Sequence, residues 1–190
     1  MVDWRSWGVL IAGAICFGSF VWGAKFHFHT VGKAPRGMQV LSLASFAAFA
    51  GFLYGISTLP GGFRWVPFGL CVVSLLLFWW CILYTSRKRF TLAFSPDAPV
   101  FLDTQGPYRM ARHPFYLSYM LFWVATALAV PGVLPWVAPA ILAALYTFAA
   151  MREERKFTSS AMEREYRTYR MQTGIFFPML TWQRRKERQA

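Results

Sequence analysis

Hydrophobic residues run nearly uninterrupted through five stretches, residues 6–24, 38–59, 63–84, 115–130 and 136–151, and polar residues collect between them. At a helical rise of 1.5 Å per residue, about 20 apolar residues cross the roughly 30 Å hydrocarbon core of a bilayer. The pattern predicts an all-α membrane protein with five transmembrane helices. Pro35 and Gly37 break the first link, Pro60, Gly61 and Gly62 make a tight turn in the second, and residues 131–135 turn the chain between the last two spans. A link as short as the second makes the second and third helices antiparallel neighbours, and the fourth and fifth form a hairpin. Small residues in the second stretch, among them Ser42, Ala44, Ser45 and Gly51, allow close helix approach.

Two polar regions stand out. The link after Tyr84 is the longest, and it interleaves Phe90, Phe94 and Phe101 with Arg87, Lys88, Asp97 and Asp103, so it is expected to lie on the membrane surface and fold back under the bundle. Links longer than about 15 residues in a compact protein are often functional. From Arg152 a polar helix continues, with Met162, Tyr166 and Tyr169 on one face and Glu163 placed to pair with Arg167 at i, i+4. Gly174 is the expected stop, residues 175–182 return to the membrane interface, and the basic run after them faces solvent or anionic lipid.

Composition agrees with the pattern. The 190 residues are 56% hydrophobic and 15% charged, far from soluble usage, and the spans leave no room for a separate soluble domain of useful size. The first stretch, aromatic at both ends and without a small-residue cleavage site before Lys25, is expected to be retained. A formal charge of +12 would suit nucleic acid, but its distribution follows membrane sidedness instead. Arg5, Arg64 and an uncharged fourth link put two basic residues on one side, and the other 18 of the 20 lie on the opposite side. The positive-inside rule then puts the N-terminus outside and the C-terminus in the cytoplasm, and the expected location is a bacterial plasma membrane. No nucleic-acid partner is expected, because the basic residues form no reading module. Cys16, Cys71 and Cys81 fall within spans without CxxC spacing, and His27 and His29 do not share a helix face, so no metal site is expected. Those histidines read as interfacial loop side chains.

Candidate chemistry concentrates at residues 106–120. Gly106 and Pro107 make a turn, then Tyr108, Arg109, Arg112 and His113 lead into Pro114, a residue favoured in the first turn of a helix. The positive end of the fourth helix then points at the cytoplasmic interface, where an anion would be held. Read as topology alone, the arginines merely mark the cytoplasmic side. Glu153 and Glu154 end the fifth span, and the hairpin brings them beside the start of the fourth. They read equally as salt-bridge partners of Arg112, Arg152 or Arg155 and as hydrogen-bond acceptors for a ligand. With Tyr108, Tyr116, Tyr166 and Tyr169 as aromatic surfaces, the set suits a zwitterionic, ring-bearing cofactor.

The run GPYRMARHPFYLS, followed by REERKF and then EYRTYRMQTGIFFP, resembles the isoprenylcysteine carboxyl methyltransferase and phospholipid methyltransferase superfamily. Ser118 departs from it, standing where the family commonly has glycine. The resemblance implies an S-adenosylmethionine-dependent methyltransferase, a single domain over residues 1–190 with its motif region at 106–178. A cytoplasmic C-terminal helical region would close the cofactor pocket. It further implies Tyr108, Arg112, His113, Pro114, Tyr116, Glu153, Glu154, Tyr166 and Tyr169 at the cofactor, with His113, Glu153 and Glu154 as the catalytic candidates. Arg112 or His113 would lie near the methionine carboxylate and a glutamate near the ribose hydroxyls or amino group. The acceptor would be a lipid or other hydrophobic molecule, isoprenylcysteine carboxylate-like or a phospholipid amine. Two other readings compete: a sterol-reductase-like oxidoreductase using NADPH, and a non-catalytic membrane scaffold.

Overall fold

A computed structural model describes residues 4–28, 34–59, 64–86 and 101–179. His29, the turn at residues 60–62, the link at 87–100 and the basic run at 180–190 lie outside those residues. The architecture is all-α: α1 Trp4–Trp22, prolonged by a π-helical turn Gly23–His27, α2 Arg36–Thr58, α3 Trp65–Thr85, α4 Pro114–Ala129, α5 Val137–Thr158 and α6 Glu163–Gln172. Short 3-10 turns precede α4 and α5, at Gly106–Arg109 and Leu134–Trp136. Among the described residues, strand pairing is confined to one parallel bridge between Ala111 and Gly174.

Four helical segments, Ser6–His27, Arg36–Thr58, Trp65–Thr85 and Leu134–Thr158, are long and apolar enough to cross a membrane. The 16 residues of α4 fall short of that length. Two expected boundaries move. The polar helix expected from Arg152 is continuous with α5 but breaks after Thr158, with Arg155 and Lys156 in that last turn where they oppose the helix dipole, and resumes as α6 at Glu163. His27 is not a loop side chain: the turn after α1 keeps it helical, and its Nε2 lies 2.9 Å from Thr85 Oγ1.

The most extensive packing is α3 against α4, and α1 covers α3. Ser74 Oγ donates to the Ser118 carbonyl across the first of these contacts, at 2.7 Å. Ser118 is fully buried there, and its own hydroxyl turns back to the Phe115 carbonyl at 2.7 Å. The departure from glycine is thus absorbed without an unpaired hydroxyl. α2, expected beside α3, packs instead on α5 and α1. A short link holds two helix ends together but does not choose the face, and α3 spends its buried residues Cys71, Ser74 and Phe78 on other neighbours. Phe20 links these layers, with ring centroids 5.0 Å from Phe78, 4.7 Å from Tyr119 and 5.4 Å from Phe122, all edge to face.

Arg64, expected only as a topology signal, is buried at the start of α3, and its Nη1 donates to the Ala129 carbonyl at 2.5 Å. A cation there meets the negative end of α4.

A Cβ placed on Gly23 would lie 2.7 Å from Phe78 Cζ, and Phe78 is fully buried and cannot yield. Gly23→Ala should therefore destabilise the bundle by about 1–3 kcal/mol through overpacking. Gly51→Ala, which meets nothing within 4 Å, should stabilise it by about 0.5–1 kcal/mol. Thermal unfolding of the two purified variants in one detergent checks both signs.

Candidate functional site

The region before α4 is built around Gly106, whose φ of +58° opens the 3-10 turn. A Cβ there would lie 2.6 Å from the Tyr84 ring, so glycine is required both by conformation and by space. Tyr84 donates to Asp103 Oδ1 at 2.9 Å and so anchors the segment entering the turn. Beyond it the backbone extends through residues 111–113 and is clamped by a returning strap. The Arg112 N–H donates to the Gly174 carbonyl at 2.9 Å, and that of His113 to the Ile175 carbonyl at 3.0 Å. Pro114 then starts α4 from a buried position, with His113 as the capping residue.

The hairpin of α4 and α5 brings Glu153 and Glu154 onto this clamped segment. Arg112 Nε donates to Glu154 Oε1 at 2.8 Å, while its Nη1 donates to the carbonyls of Thr173 and Arg170. The guanidinium therefore ties α5, α6 and the strap together. His113 lies between the two acids: Nδ1 is 3.5 Å from Glu153 Oε2 and Nε2 is 3.4 Å from Glu154 Oε1. Its ring stacks on Tyr116 at 5.5 Å, and Tyr116 donates to Glu153 Oε1 at 2.5 Å. Two buried polar atoms beside Glu154, His113 Nε2 and the Tyr166 hydroxyl, have no aligned hydrogen bond. Unpaired buried polar groups are costly, and here both face one carboxylate.

Tyr169 donates to the Tyr108 carbonyl at 2.6 Å, which docks α6 on the turn, and Tyr166 stacks on Phe157 at 5.1 Å. Burial pushes the phenols of Tyr108, Tyr166 and Tyr169 up, with Glu154 adding to the shift at Tyr166. At neutral pH these rings are protonated donors and aromatic surfaces, not bases.

The nine residues singled out by sequence thus gather at one end of the bundle. Arg112, His113, Tyr116, Glu153, Glu154 and Tyr166 form the connected polar centre, Pro114 starts the helix that supports it, and Tyr108 with Tyr169 pins α6 beside it. The expected return of the chain after Gly174 is a return to this centre: Phe176 is buried 6.3 Å from the His113 ring. Sequence reasoning missed the strap and two tyrosines. Tyr146 stacks on Tyr116 at 5.6 Å and packs on Tyr119 at 5.5 Å. The signal was available, because Tyr146 stands seven residues, two helical turns, before Glu153, and Tyr119 three after Tyr116. Glu163 and Arg167 pair as expected, at 2.7 Å, but on the exposed side of α6.

Apolar helices that end in a half-buried set of two acids, an imidazole and a guanidinium define an integral membrane protein with a polar centre at one end of its bundle. The chain belongs to the phospholipid methyltransferase family, which matches residues 63–165 and so takes in α3, α4, α5 and the Arg112 to Glu154 set. That membership bears out the resemblance read from the motifs. A relative in Cupriavidus metallidurans, the cobalt-zinc-cadmium resistance protein CzcN, is 33% identical over 103 residues, covering 54% of this chain. The chain spans less than half of that relative, 43% of its length. No solved structure matches. Among the described residues no group of three or more His, Cys, Asp or Glu side chains is arranged to hold a metal ion.

Arg112→Gln removes the donors that join Glu154 to the strap and should cost about 3 kcal/mol, the lower range for breaking a buried ion pair. Hydrogen exchange at the amides of residues 112 and 113 should speed up correspondingly. The raised phenols carry their own signature. Their stabilising contribution is complete below the ordinary value of 10.0 and is lost as pH rises above it. An alkaline absorbance titration should show a late tyrosine phase, with the thermal midpoint falling over the same range.

Proposed function

We propose that this protein is an S-adenosylmethionine-dependent methyltransferase whose acceptor is the amine of a membrane phospholipid. It acts as one domain over residues 1–190, with five crossings, the N-terminus outside and the polar centre at the cytoplasmic face of a bacterial plasma membrane. α4 counts as the fifth crossing because most of its residues are buried in the bundle, which shelters its short length from lipid. The observation that carries the reading is the imidazole of His113 between two consecutive carboxylates, with unaligned buried polar atoms converging on one of them.

The residues fit the cofactor. Glu154, the Tyr166 hydroxyl and His113 Nε2 offer an acceptor and donors to its hydroxyl or ammonium groups, and Tyr108, Tyr116 and Tyr169 offer aromatic walls. Arg112 acts mainly by orientation, since its Nε and Nη1 are engaged with Glu154, Thr173 and Arg170. When bound, the cofactor supplies an electrophilic methyl group on a positively charged sulfur. Everything else falls to the chain.

An amine must first lose its proton, and a neutral imidazole carries one N–H and one lone pair. His113, flanked by carboxylates on both ring nitrogens, gains an acceptor for each N–H when it takes that proton. The freed lone pair would take up the methyl group that the cofactor supplies when bound, the electron pair of the old sulfur–carbon bond remaining with sulfur. Tyr116 and Arg112 hold the two glutamates in place through this step, so the gain is one of positioning and shielding from water. Glu153 favours an amine over a carboxylate acceptor, which would meet like charge.

With the full chain in phosphatidylethanolamine nanodiscs, methyl-labelled S-adenosylmethionine should deposit label in the lipid. Glu154→Gln should weaken S-adenosylhomocysteine binding at least about tenfold, or about 1.4 kcal/mol. Arg167→Ala, on the exposed side of α6, should leave it unchanged. Binding of NADPH without S-adenosylhomocysteine would sink the proposal, as would a Glu154→Gln variant indistinguishable from the parent.

A further inference from the structure

Below the polar centre, three tyrosines form a column between α4 and α5. Tyr116, Tyr119 and Tyr146 lie within 5.5–6.3 Å of one another by ring centroid, so each touches the other two. Trp123 donates to the Tyr146 hydroxyl at 3.2 Å from below, and the Tyr116 hydroxyl reaches Glu153 above. The Tyr119 hydroxyl makes no hydrogen bond among the described residues.

This is a costly place for a phenol. Elsewhere the same core uses rings without oxygen: Phe17, Phe20, Phe78, Phe115 and Phe122 are buried and pack against one another or against this column. The chain has 19 phenylalanines and eight tyrosines, so phenylalanine is the ordinary core ring here, and three tyrosines in one column are a departure from it. A hydroxyl in an apolar interior is retained at a cost unless something bonds to it. Tyr119 is also partly exposed although Phe20, Phe78, Tyr116 and Tyr146 surround its ring, so part of this side chain can be reached from outside the packed rings. Aromatic faces on several sides with a carboxylate at one end are the receptor chemistry of an organic cation.

Resting on the methyltransferase reading, we infer that Tyr119 and Tyr146 form the seat of the acceptor's amine headgroup, between the bilayer and the polar centre. The rings hold the headgroup as an ammonium, the Tyr119 hydroxyl accepts one of its N–H bonds, and Glu153 draws it toward His113. Neither residue belongs to the motifs that mark the cofactor end. Tyr146 is positioned by Trp123, whereas Tyr119 contacts the headgroup directly.

The test uses the full chain in nanodiscs of phosphatidylcholine with graded phosphatidylethanolamine, following label transfer and, separately, S-adenosylhomocysteine binding. Tyr119→Phe, which removes one oxygen, should raise the phosphatidylethanolamine content needed for half-maximal rate about tenfold, with the affinity for S-adenosylhomocysteine changed by less than about twofold. Tyr146→Phe should move the same quantity in the same direction. An unchanged lipid dependence in Tyr119→Phe overturns the seat and leaves the methyltransferase reading standing, whereas unmodified protein that binds no S-adenosylhomocysteine overturns both. Should the variants fail to fold, phosphatidylethanolamine carrying a photoreactive diazirine at its headgroup is used with the unmodified chain. Labelling of the α4 and α5 segments around Tyr119 and Tyr146 supports the seat, and labelling confined to other helices overturns it.

Discussion

The polar centre depends on one contact that two helices must make in register: an imidazole at the start of α4 facing two consecutive carboxylates near the end of α5. Adjacent residues on a helix point about 100° apart, so Glu153 and Glu154 can flank one ring only if the ring sits against the edge of the helix between them. The remaining devices at this end serve that placement. Arg112 holds Glu154 by the same oxygen, Oε1, that faces the ring, Tyr116 holds Glu153 through Oε1, and the strap at Gly174 and Ile175 keeps the backbone of Arg112 and His113 extended. A Cβ on Gly174 would run into the Phe177 carbonyl, so even the strap's turn leaves no freedom for the chain to approach differently.

Much of the architecture was legible because lipid imposes simple rules. Apolar length showed where the helices lie, and the clustering of Tyr108, Arg112, His113, Glu153 and Glu154 at one end followed from a hairpin whose link is only a few residues long. What sequence could not show were choices of face. Only a few residues separate α2 from α3, yet α2 packs on α5, because steric fit and not connection decides which ridges meet. Arg64 counted as a charge for topology, but its structural use lies in reaching the Ala129 carbonyl across the bundle, which depends on a partner 65 residues away. His27 looked like a loop residue because Pro35 and Gly37 follow it, whereas a π-helical turn carries it to Thr85.

Polar groups within this bundle divide by how they are satisfied. Ser118, Thr126 and Thr147 return their hydroxyls to carbonyls of their own helices, the inexpensive solution inside a membrane protein. The tyrosine column and the histidine between two acids use side chains from different helices, and their geometry depends on the whole bundle being assembled. Residues of the first kind tolerate exchange for alanine, while those of the second report on tertiary structure.

The short length of α4 gives the floor of the molecule a step. Arg64, which caps α3, also bonds the last carbonyl of α4, so the two helices are level at that end. α3 has 21 residues and α4 has 16, and the difference of five residues, about 7.5 Å of rise, falls wholly at the other end. His113 therefore starts its helix about a turn and a half below the rim that α3 makes, and the turn at Gly106–Arg109 sits on that ledge against Tyr84. The ledge lets charged side chains stand at the depth of the surrounding apolar helix. A molecule anchored in the bilayer could meet them without being lifted out of it.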